Sequence, residues 1–148
     1  AYALKKLGCE EAMVVHGLDG LDEISTVGKT VIAHLKEDKV TEIETIPSDF
    51  GVKKAKITDL QSSTPEESAE TLFKILSGNT VDDAKAEIVL VNSAAGIIVG
   101  GKAEDFKVGM EAARESIESG AAYAKLEALI KASGGSLLKL EELEAKYE

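Results

Sequence analysis

The sequence predicts an α/β fold, with a partial sheet of several strands in the N-terminal half packed by helices drawn from the C-terminal half. Three observations carry that expectation. Apolar residues alternate with a period of two in "TVIAHLK" (30–36) and "VTEIETI" (40–46), as half-buried strands require. From residue 64 onward the period changes to 3.6, the signature of amphipathic helices. No internal repeat or low-complexity linker divides the chain, so residues 1–148 read as a single domain.

The elements follow in order. "AYALKKLG" reads as the last turns of an amphipathic helix ending at Gly8. Because this helix is entered midway and residue 1 is Ala, the chain reads as a piece of something longer. Ala12–Val15 is a continuous apolar run, expected of a strand covered on both faces. In 30–36, Val31, Ala33 and Leu35 alternate with Thr30, Ile32, His34 and Lys36. In 40–46, Thr41, Ile43 and Thr45 oppose Glu42 and Glu44, and "EDK" joins the two segments as a hairpin. Pro47 and "SDFG" then mark a loop.

Thr64, Pro65 and Glu67 supply an N-cap, a first-turn proline and the acid of a capping box, with Ala69, Leu72, Phe73 and Leu76 on one face and Gly78 as the stop. The segment 82–99 is apolar almost all round and predicts a buried helix, with Asp82 and Asp83 at the positive end of its dipole. Phe106, Met110, Ala113 and Ile117 form a third stripe, and Ala122, Leu126, Leu129 and Ile130 a fourth. Leu137, Leu140, Leu143 and Tyr147 mark a short terminal helix.

With 44% hydrophobic and 30% charged residues over 148 positions, the chain can bury one core and is no disordered tail. A formal net charge of −10 argues against nucleic acid and anionic membrane surfaces as partners, since both need a basic footprint. An anionic ligand would have to enter through a local device, a metal ion or a helix N-terminus. The longest apolar stretch, 88–99, is too short to span a bilayer and is broken by Asn92, Ser93 and Gly96, and the start of the chain lacks the pattern of a signal peptide. Cys9 alone makes no internal disulfide and fits a reducing cytoplasm.

The richest chemistry lies in "HGLDGLDEIS" (16–25), which follows the apolar run at once. Gly17 and Gly20 permit backbone turns that let neighbouring carboxylates converge rather than alternate across a strand. Adjacent acids on such a loop make half of a Mg²⁺ site, since Mg²⁺ typically takes one or two protein carboxylates and fills its octahedron with water and phosphate oxygens. An ordinary solvated turn is the competing reading.

Other candidates are weaker. "GIIVGGK" (96–102) matches a phosphate-loop string, but Ala103 stands where Ser or Thr should hold metal and the pattern is helical. His16, ending a strand, reads as a hydrogen-bonded structural residue; His34, on the polar side of the hairpin, reads as solvated. Cys9 reads as a small core residue, Lys29 as a solvated lysine within reach of a phosphate, and Lys53, Lys54 and Lys56 as surface. Asn92 and Ser93, polar within an apolar helix, must find buried partners.

Taken together, "VVHGLDGLDEIS" (14–25), "PSDFG" (47–51), "VNSAA" (91–95) and "AARESIESGAAYAKLEALI" (112–130) resemble the C-terminal half of the anthranilate phosphoribosyltransferase family, in order and spacing across nearly the whole chain. The resemblance implies an enzyme of tryptophan biosynthesis that transfers phosphoribosyl from phosphoribosyl pyrophosphate (PRPP) to the amine of anthranilate, releasing pyrophosphate with the help of Mg²⁺. It implies a small helical domain beside a larger α/β domain, of which this chain is the C-terminal part, and a homodimeric parent. On the family's motif, Asp22 and Glu23 are the metal carboxylates. No protein nucleophile is implied, because the anthranilate amine is itself the nucleophile.

The family's Gly-rich PRPP loop, its Ser-Thr segment and its Lys-His-Gly-Asn stretch with a later arginine lie upstream of this chain's first strand. None occurs here, and the sole arginine, Arg114, sits in a late helix. The expectation is therefore a fragment inactive by itself, prone to self-association through exposed edges and apolar faces. The alternatives left open are a non-catalytic acidic module of the same fold, binding a phosphorylated ligand or a partner protein, and a nucleoside phosphorylase of related architecture.

Overall fold

In the computed structural model, residues 1–79 and 83–147 are described. A short helix α1 (Tyr2–Lys6) leads into strands β1 (Ala12–Gly17), β2 (Thr30–Lys36) and β3 (Lys39–Thr45). They form one antiparallel sheet in the order β1-β2-β3, with Gly17 opposite Thr30 and Lys36 opposite Lys39. Helices α2 (Ile57–Leu60), α3 (Pro65–Leu76), α4 (Ala84–Val99), α5 (Phe106–Glu118), α6 (Ala121–Ala132) and α7 (Leu138–Tyr147) follow. The predicted division into a sheet half and a helical half holds.

α4 is the spine of the molecule because it is apolar around most of its circumference. One side sets Val91 and Ala95 against Ile24, Ile32, Phe50 and Val52 of the sheet layer, with Met13, Val15, Phe106 and Met110 around them. Further toward its N-terminus, Ala86 and Leu90 pack with Ile75 of α3 and with Ala113 and Ile117 of α5. α5 can lie close against α4 because residue 109 is glycine. A Cβ there would come within 3.0 Å of the Ala94 Cβ.

The helix starts obey the capping logic. Thr64 Oγ1 accepts the Glu67 amide at 3.1 Å, and Glu67 reaches back to the Ser63 amide at 2.7 Å, one residue before the N-cap. Asp83 caps α4 by accepting the Ala86 amide at 2.7 Å. Asp82, expected beside it, lies outside the described residues.

Several expectations are corrected. β1 is an edge strand with alternating burial, and Val14 is 41% exposed, so the Ala12–Val15 run is not covered on both faces. Residues 47–50 form a 3₁₀ turn, closed by Gly51 at φ +74°, where a plain loop was expected. The hairpin turn is Glu37-Asp38 alone, both at positive φ (49° and 61°), because Lys39 already pairs with Lys36. β2 buries Ile32 and Leu35, which lie on opposite faces, since elements cover both sides of this central strand. In α3 the inward residues are Phe73 and Ile75, while Leu72 is exposed. α6 has no buried residue and leaves Leu129 65% exposed, so its stripe covers little. Cys9 is exposed, its thiol donating to the Glu11 carbonyl at 3.3 Å, because it follows Gly8 on the turn out of α1 rather than entering the core.

Candidate metal centre

The β1–β2 connection begins where the sheet ladder ends. Beyond the Gly17–Thr30 pair, the Leu18 amide donates to the Lys29 carbonyl at 2.8 Å and closes the neck of the loop. Inside it the chain doubles back: the Gly17 amide donates to the Leu21 carbonyl (2.8 Å) and the Gly20 amide to the Gly17 carbonyl (2.9 Å). Gly20 takes φ +100°, a conformation that side-chain-bearing residues rarely adopt.

Of the three acids, one is consumed by the loop itself. Asp19 accepts the Leu21 amide on Oδ1 at 3.2 Å and the Ser25 hydroxyl on Oδ2 at 2.5 Å. The Ser25 oxygen in turn accepts the amides of Val27 (2.9 Å) and Gly28 (3.1 Å), and the Ser25 amide donates to Thr30 Oγ1 (2.9 Å). Ser25, Thr26 and Thr30 are fully buried, so this network works in a low-dielectric setting where each bond matters. Glycines at 17 and 28 are required by it: a Cβ on either would lie 2.7 or 2.8 Å from an Asp19 carboxylate oxygen.

Asp22 and Glu23 stand apart from this network. Both are exposed, and among the described residues neither carboxylate has a hydrogen bond or ion-pair partner. Ile24 immediately after them is fully buried in the sheet–α4 core. Its amide donates to Asn92 Oδ1 (2.9 Å), and its carbonyl accepts from Asn92 Nδ2 (3.0 Å), which also donates to the Ile88 carbonyl (2.9 Å). Thr26 lends its carbonyl to the Ala55 amide at 2.9 Å, while its buried hydroxyl oxygen has no partner among the described residues.

As a donor set, two adjacent uncommitted carboxylates fit a hard cation whose remaining ligands are water and phosphate oxygens. A closed protein cage is a different matter: among the described residues no three or more His, Cys, Asp or Glu side chains gather for one.

The remaining candidates resolve plainly. Lys29 is ion-paired with Glu44. His34 is half-buried rather than solvated, and its Nε2 lies 2.9 Å from Glu11 Oε1. That hydrogen bond, with Lys36 3.3 Å away, holds the Glu11 carboxyl below its usual range. His16 is exposed, with no hydrogen-bond partner among the described residues, because β1 turns it outward at the sheet edge. Asn92 finds buried partners as required, but Ser93 is exposed, one position around the helix. Gly96 to Val99 are helical and α4 ends at Gly100, so the phosphate-loop string is a helix terminus. Lys53, Lys54 and Lys56 are on the surface. The anchoring roles of Ser25 and Thr30 were missed in the sequence; a serine six residues beyond Asp19 was the available signal.

Comparison with known proteins places the chain in a family. Residues 1–123 match the family described as "Glycosyl transferase family, a/b domain". The anthranilate phosphoribosyltransferase of Clostridium kluyveri is 44% identical over 130 residues, which cover 88% of this chain and 38% of that protein. The crystal structure of anthranilate phosphoribosyltransferase from Thermus thermophilus superposes with a TM-score of 0.76 at 31% identity, over 87% of this chain and 37% of that one. The Saccharomyces cerevisiae enzyme in complex with PRPP and Mg superposes with a TM-score of 0.73 at 30% identity, over 82% and 34%. The chain thus spans little more than a third of the length of these relatives. With its first 123 residues matched, the chain belongs to the glycosyl transferase family, in its a/b domain, and its relatives there are anthranilate phosphoribosyltransferases.

Proposed function

We propose that this chain is the C-terminal part of the larger α/β domain of an anthranilate phosphoribosyltransferase, a single domain over residues 1–148, and that Asp22 and Glu23 hold its Mg²⁺. The parent reaction forms the bond from the anthranilate amine to the ribosyl carbon and breaks that carbon's bond to pyrophosphate, giving N-(5-phosphoribosyl)anthranilate. When bound, Mg²⁺ neutralises the charge that gathers on the departing pyrophosphate. The chain's own residues would hold the ion through the Asp22 and Glu23 carboxylates, with the Asp19–Ser25 network and the buried Ile24 keeping their loop in place.

One observation carries this reading. In a loop whose other acid is fully engaged, the two adjacent carboxylates have no protein partner among the described residues. The yeast relative's complex with PRPP and Mg supports the ligand assignment. The parent is taken to be cytoplasmic and a homodimer. In this chain the free edge of β1 and exposed Val14, Leu18 and Ile43 favour self-association.

Loss of anthranilate fluorescence with PRPP and Mg²⁺ tests the proposal, measured on this chain and on its reading frame extended upstream. Activity in the extended protein alone is expected. Silence in both favours the non-catalytic acidic module.

A further inference from the structure

Taking Asp22 and Glu23 as the metal carboxylates, we infer that Asn92 is the positioning residue of that pair: its amide ties the acid loop to α4 and sets where the two carboxylates stand. The acids lie between two residues whose peptide groups are both engaged. Before them, the Leu21 amide donates to Asp19 and its carbonyl accepts from Gly17, a lock made within the loop. After them, the Ile24 amide and carbonyl both bond to the single side chain of Asn92, 68 residues further along the sequence.

The local lock shapes the loop, but among the described residues only Asn92 hydrogen-bonds its backbone next to Glu23 to the helical layer. The chemistry demands an amide. Ile24 presents one donor and one acceptor, and a primary amide answers both with one planar group. Its second N–H goes to the Ile88 carbonyl, which fixes the amide orientation from its own helix. Aspartate would keep the acceptor for the Ile24 amide but turn a second acceptor toward two carbonyls, and alanine would leave the Ile24 groups unpaired in a buried place. Residues that orient metal ligands typically cost about 10- to 100-fold in metal affinity when removed.

The test uses Mn²⁺ as the probe. ¹⁵N-labelled chain is titrated with Mn²⁺ in the presence of pyrophosphate, and paramagnetic broadening of the Glu23 and Ile24 amides is read. Asn92→Ala should raise the Mn²⁺ concentration for half-broadening about tenfold. Asn92→Asp, which keeps the shape and the bond from the Ile24 amide but sets an acceptor against the Ile24 and Ile88 carbonyls, should also raise it about tenfold and serves if the alanine variant does not fold. Ile117→Val, which loosens the α4–α5 core without touching the loop, should stay within about twofold of the parent. Asp22→Asn with Glu23→Gln reports on the metal reading separately. If that pair loses the site while both Asn92 variants bind within twofold of the parent chain, the positioning role is overturned and the metal reading stands. If the double acid variant broadens as the parent chain does, the metal reading falls and takes the positioning role with it.

Discussion

The two connections of the sheet solve opposite problems. The β2–β3 turn is only Glu37 and Asp38, both pressed into positive φ, and its sole task is to reverse the strand. Positive φ matches the right-handed twist of the flanking strands, at a cost of about 1 kcal/mol or more for a residue with a Cβ. Its ties are electrostatic and partly exposed: Lys5 donates to the Asp38 carbonyl at 2.5 Å and pairs with its carboxylate at 3.0 Å, and Glu11 bridges His34 and Lys36 nearby. The β1–β2 loop runs from Leu18 to Lys29 and spends buried hydroxyls, glycines and a carboxylate on holding its own shape. A chain that merely needs to turn does so in two residues. The longer loop holds its own shape chiefly through the Asp19 carboxylate, the buried Ser25 hydroxyl and backbone hydrogen bonds, and it leaves the Asp22 and Glu23 side chains exposed.

That contrast can be broken most severely at the acids. Asp22→Asn with Glu23→Gln in the extended protein should lower turnover by about three orders of magnitude or more, while the melting temperature stays near that of the parent, since both residues are exposed and bond to nothing among the described residues. Unchanged turnover removes the metal assignment.

Next in size are changes to the loop's internal lock. Ser25→Ala strands the Asp19 carboxylate and two amides, and Gly17→Ala pushes a methyl group against Asp19 and the Leu21 carbonyl. Each should cost about 1–3 kcal/mol in urea unfolding. A cost near zero for both would mean that the loop is no stiffer than the turn.

At the turn, the expected sign reverses. Glu37→Asn relieves a positive-φ residue and should stabilise by about 0.5 kcal/mol, because asparagine tolerates the left-handed region better. A destabilised Glu37→Asn would show that the turn is held by more than backbone twist.

The smallest effect is the pH response of the turn end. The His34 hydrogen bond, chiefly, lowers the Glu11 pKa from its ordinary 4.5, so the stability it contributes is present above that value and lost as pH falls through the lowered one. Urea midpoints of the wild type should therefore decline more steeply on acidification below that value than those of Glu11→Gln. Parallel curves would show that the pair contributes nothing measurable.

Much of the molecule was legible residue by residue. The caps at Thr64 and Asp83, the stop at Gly78, the hairpin and the apolar spine of α4 depend on neighbours a few positions away, and hydrogen bonds that close within one turn are written in adjacent letters. The acid pair, too, was visible at 22 and 23 because glycine spacing and adjacency are local facts. Burial of a face was not: β1 showed an unbroken apolar run yet sits at an edge, and α6 showed a stripe that little covers, since coverage depends on which distant element packs there. Which of three carboxylates is structural was likewise decided by the fold, through the buried Ser25 hydroxyl. The sequence alone determined that acids, glycines and an isolated asparagine were present at these positions. Only the tertiary structure decided that Asn92 reaches back across 68 residues to Ile24, because folding alone sets which unpaired groups meet in the same dry space.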